Sequence, residues 1–253
     1  MTDEGQITIK ALPAVPEVEQ GTDLAALIES TSRELKDGDI VVVSHKVVSK
    51  AEGCVMNLSD VVPSDRAVEI ATEQDRDPRH VQVILDQTSE VLRAEHGVLI
   101  CVTHHGFVCA NAGVDESNLA GADQALFLPA DPDQSARQIR SQLGQSTGSK
   151  VAVVITDSFG RAWRFGQVDV AIGCAGLAPL DDWRGRTDRL GRELQATELA
   201  VADLIAAAAD LARAKDSGQP LVVLSGLGRF VTDEDGPGAA ALLRPADQDL
   251  FRR

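Results

Sequence analysis

The stretch Val151-Ala152-Val153-Val154-Ile155-Thr156-Asp157-Ser158 decides the fold class, because five consecutive apolar residues run directly into polar ones. An uninterrupted apolar run of this length is typical of a strand that is buried on both faces of its sheet. We therefore predict a strand at residues 151–155, with Asp157 at the point where the strand ends. Open α/β sheets bind their ligands at that edge.

Shorter β-rich runs and amphipathic stretches alternate along the rest of the chain. The β-rich runs predict strands at residues 40–43, 47–48, 98–102 and 221–224. Apolar periodicity with helix start and stop signals predicts helices at residues 24–35, 67–71 and 136–143, and the longest helix at about 197–215. This alternation indicates a mixed α/β (α+β) fold.

No internal repeat and no Pro/Ser-rich spacer divides the chain, so we interpret residues 1–253 as one domain. Its core is predicted at about residues 10–230, followed by a C-terminal appendage at about 231–253. The apolar stretches are far shorter than a membrane span, so no membrane partner is expected. The four cysteines contain no C-x-x-C pair, which favours reduced thiols and a cytoplasmic location.

The formal net charge of −15 excludes some classes of partner. Excess carboxylate on most faces repels polyanions, so nucleic acid is not expected as a partner. A small nucleotide remains compatible, because a few lysines and metal ions in one cleft can reverse the local potential.

Two carboxylates follow hydrophobic segments in a similar way. Asp157 follows residues 151–155, and Asp115 lies in Asn111-Ala112-Gly113-Val114-Asp115 after residues 107–110. Hard divalent ions such as Mg²⁺ prefer oxygen ligands from one or two carboxylates, phosphate and water. Asp115, Asp157 and the hydroxyl of Ser158 are therefore candidate metal ligands. The alternative is that Asp157 only caps the turn after its strand.

Lys46 and Lys50 follow the predicted strand at 40–43 and are candidate phosphate binders. The alternative for both is a solvated position on an edge strand. Arg161 and Arg164, which are interleaved with aromatic residues just beyond Asp157, are candidates for binding a substrate carboxylate. Their alternative is a surface position in which arginines stack on aromatic rings.

Several separated motifs together resemble the coenzyme F420-0 gamma-glutamyl ligase family. They occur in the family's order and span roughly residues 10–230; they lie at residues 11–13, 37–53, 111–118, 128–133 and 155–173. The resemblance implies a GTP-dependent enzyme that adds L-glutamate to a deazaflavin coenzyme precursor. It also implies two small subdomains, an intertwined homodimer, and a relation to relatives fused to a flavin-binding nitroreductase-like domain. The chain would then be a free-standing ligase or an excised N-terminal half.

The resemblance also implies roles for individual residues. GTP would be held by Leu12, Pro13, Ala14, Val15, His45, Lys46, Lys50 and Asn118. Two divalent ions, Mn²⁺ or Mg²⁺, would be bound by Asp115, Asp157 and Ser158, with K⁺ as a further ion. The chain departs from the family at His45-Lys46, where a Ser/Thr pair is common. It departs again at Lys215-Asp216-Ser217-Gly218, which lacks a metal-binding glutamate.

These residues lead to one principal hypothesis and two rivals. The principal one is a ligase that activates a carboxylate as an acyl phosphate, with Asp115, Asp157 and Lys50 in catalytic roles. A metal-dependent phosphohydrolase is the first rival, because two carboxylate-held metals also activate water. A non-catalytic nucleotide-binding module is the second.

Overall fold

The structure, a computed structural model, describes residues 5–32, 34–117, 119, 121 and 123–251 and has the expected mixed α/β fold. Within these residues the strands are β1 (Thr8–Ala11), β2 (Ile40–Ser44), β3 (Val55–Asn57), β4 (Thr88–Glu95), β5 (Val98–Thr103), β6 (Val108–Ala110), β7 (Gln124–Leu126), β8 (Ala152–Arg161), β9 (Arg164–Ala175), β10 (Leu180–Asp182), β11 (Glu198–Ala200) and β12 (Leu221–Ser225). The α-helices are α1 (Leu24–Thr31), α2 (His45–Ala51), α3 (Asp65–Gln74), α4 (Pro78–Asp86), α5 (Pro132–Thr147) and α6 (Val201–Asp210).

The largest sheet has the strand order β1-β12-β2-β8-β9. Its central pair, β2 and β8, is parallel and places Ser44 opposite Thr156, whereas the other pairs are antiparallel. Since paired positions lie at the same level of a sheet, the next residues, His45 and Asp157, leave the core side by side. This register positions the candidate site.

Helices cover both faces of this sheet. Side chains alternate along a strand, so Val41 and Val43 pack with α1 and α5 on one face, whereas Ile40 and Val42 pack with α6 on the other. The continuous apolar runs in the sequence therefore reflect burial on both faces. Residues after 231 add to the second layer, where Ala239 is fully buried.

Residues 54–127, termed here the inserted segment, connect α2 to the region of α5 and have their own hydrophobic cluster. The cluster is formed by α3, α4 and the sheet β4-β5-β6. The segment starts and ends with the antiparallel pair β3 and β7, and Phe127 N donates to the carbonyl of Cys54 at 3.1 Å. The chain therefore enters and leaves this segment at one place.

Three secondary-structure predictions were wrong. Residues 47–48 lie in α2 and not in a strand, because both valines pack into the core from a helix. The Ala-rich helix α6 has 10 residues, so the 16-residue α5 is the longest helix in the described residues. Finally, β8 does not end at Ile155 but continues to Arg161, because antiparallel pairing with β9 supports it beyond the core.

No helix in the described ranges is long and apolar enough to cross a bilayer.

Candidate functional site

Asp157 is held where β8 leaves the buried core. Its Oδ1 lies 3.2 Å from His45 Nε2 and accepts a 2.7 Å hydrogen bond from the backbone N–H of Ser158. His45 is 1% exposed, and its Nδ1 lies 3.3 Å from Ser49 Oγ, so the ring is fixed. Both contacts use Oδ1, which leaves Oδ2 of Asp157 without a hydrogen-bond donor among the described residues. The Asp157 carboxylate is therefore held in a fixed orientation, and only one of its two oxygens has hydrogen-bond partners.

Asp115 comes from the inserted segment and is bound by the next residue of α2. Its backbone exchanges two hydrogen bonds with Leu126, and Lys46 Nζ lies 2.6 Å from its Oδ2. Lys46 also donates to Ser117 Oγ at 2.5 Å. Burial alone raises the pKa of Asp115, but the Lys46 ammonium and the backbone N–H of Ser117 hold that pKa below its ordinary value. Consecutive residues of α2 thus contact the two candidate metal ligands.

Lys50 lies one helical turn farther along α2, with a side chain that is 12% exposed. Its Nζ is 2.5 Å from Glu17 Oε1, which brings the segment after β1 beside the helix. Leu12 N donates to Leu221 O at 2.9 Å, and Val15 N donates to Gly218 O at 3.0 Å. The segment of Leu12, Pro13, Ala14 and Val15 therefore lies against residues 218–221, near Lys50. Asn118 lies outside the described residues.

Ser158 points to the opposite face of β8 from Asp157. Its Oγ donates to Asp169 Oδ1 at 2.6 Å and accepts from Lys215 Nζ at 2.5 Å. Thr156 Oγ1, on the same face, donates to Asp169 Oδ2 at 3.0 Å. Arg213 donates to the same Oδ2 and, at 2.8 Å, to Thr156 Oγ1. The structure thus brings Asp157 together with His45, and separates it from the side chain of Ser158.

Asp169 was missed by the sequence analysis, although it carried a signal. It interrupts the otherwise apolar run Val168-Asp169-Val170-Ala171-Ile172, and a charged residue in a buried strand requires partners. Those partners, Arg213 and Lys215, lie more than forty positions away, and their spacing in the sequence gives no sign of the contact.

Arg161 and Arg164 face each other at the tip of the β8–β9 hairpin. The Arg161 guanidinium donates to the carbonyl groups of Phe165 and Gly166. Arg161 is four residues beyond Asp157, so it lies roughly 13 Å farther along the strand at about 3.3 Å per residue. Within one chain the structure does not bring these arginines to Asp157.

Comparisons with known proteins identify the family of the chain. Residues 14–226 match the sequence model of the family described as F420-0:Gamma-glutamyl ligase. The chain belongs to this family. It is similar to the "Coenzyme F420:L-glutamate ligase" of Methanothermobacter thermautotrophicus, at 44% identity over 97% of this chain and 99% of the relative. It is also similar to the protein of the same name from Methanopyrus kandleri, at 43% identity over 97% of this chain and 98% of the relative.

In this member of the F420-0:gamma-glutamyl ligase family, the candidate ligands for divalent ions are the carboxylates of Asp115 and Asp157. Within the described ranges no three or more His, Cys, Asp or Glu side chains form a cage for an ion. Asp157 instead offers one unoccupied oxygen, and Asp115 is a carboxylate whose present partner is a lysine. Mg²⁺ is commonly bound by one or two carboxylates together with substrate phosphates and water. The two aspartates fit that mode of binding.

Proposed function

We propose that this chain is a ligase that joins L-glutamate to the deazaflavin coenzyme precursor F420-0, at the expense of GTP. The observation that carries the proposal is the contact of consecutive residues, His45 and Lys46, with Asp157 and Asp115. Two carboxylates and two basic side chains meet at one end of α2, with Lys50 one turn away. The name of the relatives supplies L-glutamate, and the description of the family supplies F420-0.

An amide does not form from a carboxylate and an ammonium in water without activation. In the proposed reaction an oxygen of the acceptor carboxylate attacks the γ-phosphorus of GTP, and the bond to GDP breaks. The amine of L-glutamate then attacks the acyl carbon of the acyl phosphate, loses a proton, and displaces inorganic phosphate. The product carries a γ-linked glutamate tail if later additions use the side-chain carboxylate.

The protein's part in such phosphoryl transfer is mainly positioning and charge neutralisation. Lys46 and Lys50 would bind nucleotide phosphates, exchanging the Asp115 and Glu17 carboxylates for phosphate oxygens. His45 would keep Asp157 oriented. Divalent ions held by Asp115 and Asp157 would neutralise phosphate charge when bound. Arg161 and Arg164 are proposed to contact a substrate carboxylate.

A homodimer is also part of the proposal. At the tip of the β8–β9 hairpin Trp163 is 75% exposed and Phe165 is fully exposed. Large apolar side chains grouped at an exposed tip are typical of a surface that contacts another chain. If a second chain packs at this tip, Arg161 and Arg164 would lie near the candidate site of that second chain, although they do not reach Asp157 of their own chain.

The test is incubation of the protein with GTP, Mn²⁺, K⁺, L-glutamate and F420-0, followed by mass analysis of the product. We expect the coenzyme mass to increase by one or more glutamyl residues, with sustained turnover of GTP to GDP and phosphate only when all substrates are present. Sustained GTP turnover in the absence of both L-glutamate and F420-0 would favour a metal-dependent phosphohydrolase. GTP binding without turnover under every condition would favour a nucleotide-binding module.

A further inference from the structure

A cleft of about 680 Å³ opens beside Asp115 in the inserted segment. Arg76, His80, Asn111, Glu116 and Ser117 are among the residues that line it. None of these side chains was assigned a role above except Ser117, which contacts Lys46. The cleft therefore borders the candidate site at Asp115 and carries both cationic and anionic groups.

His80 offers this cleft an unused hydrogen-bond donor. It is 8% exposed, and its Nδ1 lies 3.1 Å from an Arg76 guanidinium nitrogen. A guanidinium can only donate, so Nδ1 accepts and the proton of the neutral ring is on Nε2. Burial lowers the pKa of His80, which favours the neutral ring. Nε2 is buried and has no hydrogen-bond partner in the described part of the chain.

Arg76 adds a fixed positive charge next to this donor. Its guanidinium is held by Asn111 Oδ1 at 2.9 Å and by the His80 ring, so its position is set by neutral groups. No carboxylate lies within ion-pair distance of it among the residues that the structure describes. The hydrogen-bond partners of the Arg76 guanidinium are neutral groups, and the Glu116 carboxylate acts on its charge only from beyond ion-pair distance. A charge-assisted hydrogen bond from Arg76 to an anion in the cleft is therefore available.

The cleft also carries an acidic group at short range. The exposed carboxylate of Glu116 lies 3.5 Å from His80 Nε2, outside hydrogen-bond geometry. An α-amino acid carries a carboxylate and an ammonium on one carbon, so its complement is a set of donors for the carboxylate beside an acceptor for the ammonium. The Arg76 cation, the His80 N–H donor and the exposed Glu116 carboxylate supply these groups in one cleft.

We propose that this cleft binds L-glutamate, with its α-carboxylate at Arg76 and His80 and its ammonium at Glu116. The inference rests on the proposed ligase function, because the cleft borders Asp115, where the activated carboxylate would form. Glu116 turns from His80 toward the ammonium, and the amine then faces the acyl carbon. Glu116 and His80 thus select an α-amino acid and orient its amine.

The test measures KM for L-glutamate, GTP and F420-0 in Arg76→Gln and Glu116→Gln, with Arg66→Gln as control. Arg66 is an exposed arginine on α3 outside the cleft. We expect KM for L-glutamate to rise on the order of tenfold to a hundredfold in the two cleft variants, the loss typical of one charge-assisted hydrogen bond. KM for GTP should stay within about twofold, and Arg66→Gln should behave as wild type.

A second measurement separates binding from a structural role. L-Glutamate and its α-amide are compared as substrates, since the amide lacks the charge that Arg76 would bind. The wild type should prefer L-glutamate, and Arg76→Gln should lose most of that preference. A purely structural effect would lower both rates equally and would overturn the proposal. Glu116→Gln, on an exposed side chain, keeps the test valid if Arg76→Gln fails to fold.

The remaining outcomes are also decisive. A wild-type protein that ligates L-glutamate, with unchanged KM for it in both cleft variants, overturns this inference and leaves the ligase function standing. A rise in KM for F420-0 alone would place the acceptor in the cleft and overturn it as well. A wild-type protein that ligates no glutamate refutes the proposed function itself.

Discussion

Asp157 and Asp169 stand on the two strands of one hairpin, yet their carboxylates are held in opposite ways. Asp169 is 2% exposed, and both of its oxygens accept hydrogen bonds from the side chains of Thr156, Ser158 and Arg213. The side chain of Asp157 is 15% exposed, and only one oxygen is engaged, by His45 and the local backbone. A saturated carboxylate is part of the scaffold, whereas a half-occupied one can still bind a ligand.

The largest expected effect is on stability, at Asp169. Asp169→Asn removes the buried counter-charge of the Arg213 guanidinium and leaves it only the more distant Asp210 carboxylate, 3.9 Å away; breaking a buried ion pair costs about 3 to 5 kcal/mol. For a protein of this size the melting temperature should fall by roughly 10 °C. Chemical denaturation with constant m-value measures the loss. A loss below about 1 kcal/mol would mean that Asp169 is not the scaffold group described above.

Asp157→Asn should give the converse result, with little change in stability and a large loss of activity. The amide keeps Oδ1 as an acceptor for His45 and the backbone but removes the charge that would bind a divalent ion. Ligation should slow by on the order of a hundredfold, with part of the rate recovered at high Mn²⁺. Wild-type turnover together with a wild-type melting temperature would contradict a ligand-binding role and would leave Asp157 as a structural residue.

A smaller effect is expected at Lys50, whose side chain is 12% exposed beside Glu17. Lys50→Ala should weaken GTP binding about tenfold or more, because a charge-assisted contact with phosphate is lost. The free energy of unfolding should fall by only about 1 kcal/mol, the size typical of a single substitution that removes one ion pair with an exposed carboxylate. Lys10→Ala is the matched control, since Lys10 is exposed on the edge strand β1. Equal GTP affinity in both variants, measured by titration calorimetry, would remove Lys50 from the nucleotide site.

The smallest effect concerns Cys109, a buried thiol near Asp157. Burial, followed by the negative charge of Asp157, raises the pKa of Cys109 to about 12. Asp157→Asn should lower that pKa and accelerate alkylation of Cys109 in the native protein by a few fold, roughly. Cys174 is the internal control, because burial raises its pKa to about 12 without a contribution from Asp157. Peptide mapping after brief alkylation measures both; equal acceleration at both thiols would instead indicate general loosening.

The sequence could predict the strands whose apolar runs encode burial on both faces. The runs at 40–43 and 221–224 correspond to β2 and β12, and the run at 98–102 corresponds to β5, in which Val98 is exposed. It could not predict α2, because the valines at 47–48 have the local preference of a strand and only packing against the core makes them helical. The extension of β8 beyond Ile155 could not be predicted either, because it depends on pairing with β9 and not on a local preference.

The candidate site was likewise only partly predictable. Asp115 and Asp157 follow hydrophobic segments, and that position could be recognised without knowing the fold. The pairing of Asp157 with His45 and of Asp115 with Lys46 depends on the parallel register of β2 and β8 and on the path of the inserted segment. Contacts between residues so distant in sequence leave no periodic pattern.

The pairing of β3 with β7 brings the two ends of the inserted segment together, and this affects how the segment can be exchanged in evolution. Cys54 and Phe127 are one hydrogen bond apart, and a longer or shorter loop between two adjacent ends changes the entropy of chain closure only slowly. A recombination event could therefore exchange residues 54–127 for another module, or for a short turn, without separating the outer strands. Asp157 would be kept, because it lies on β8 outside the inserted segment. Asp115 and the cleft beside it lie within the segment and could be replaced independently.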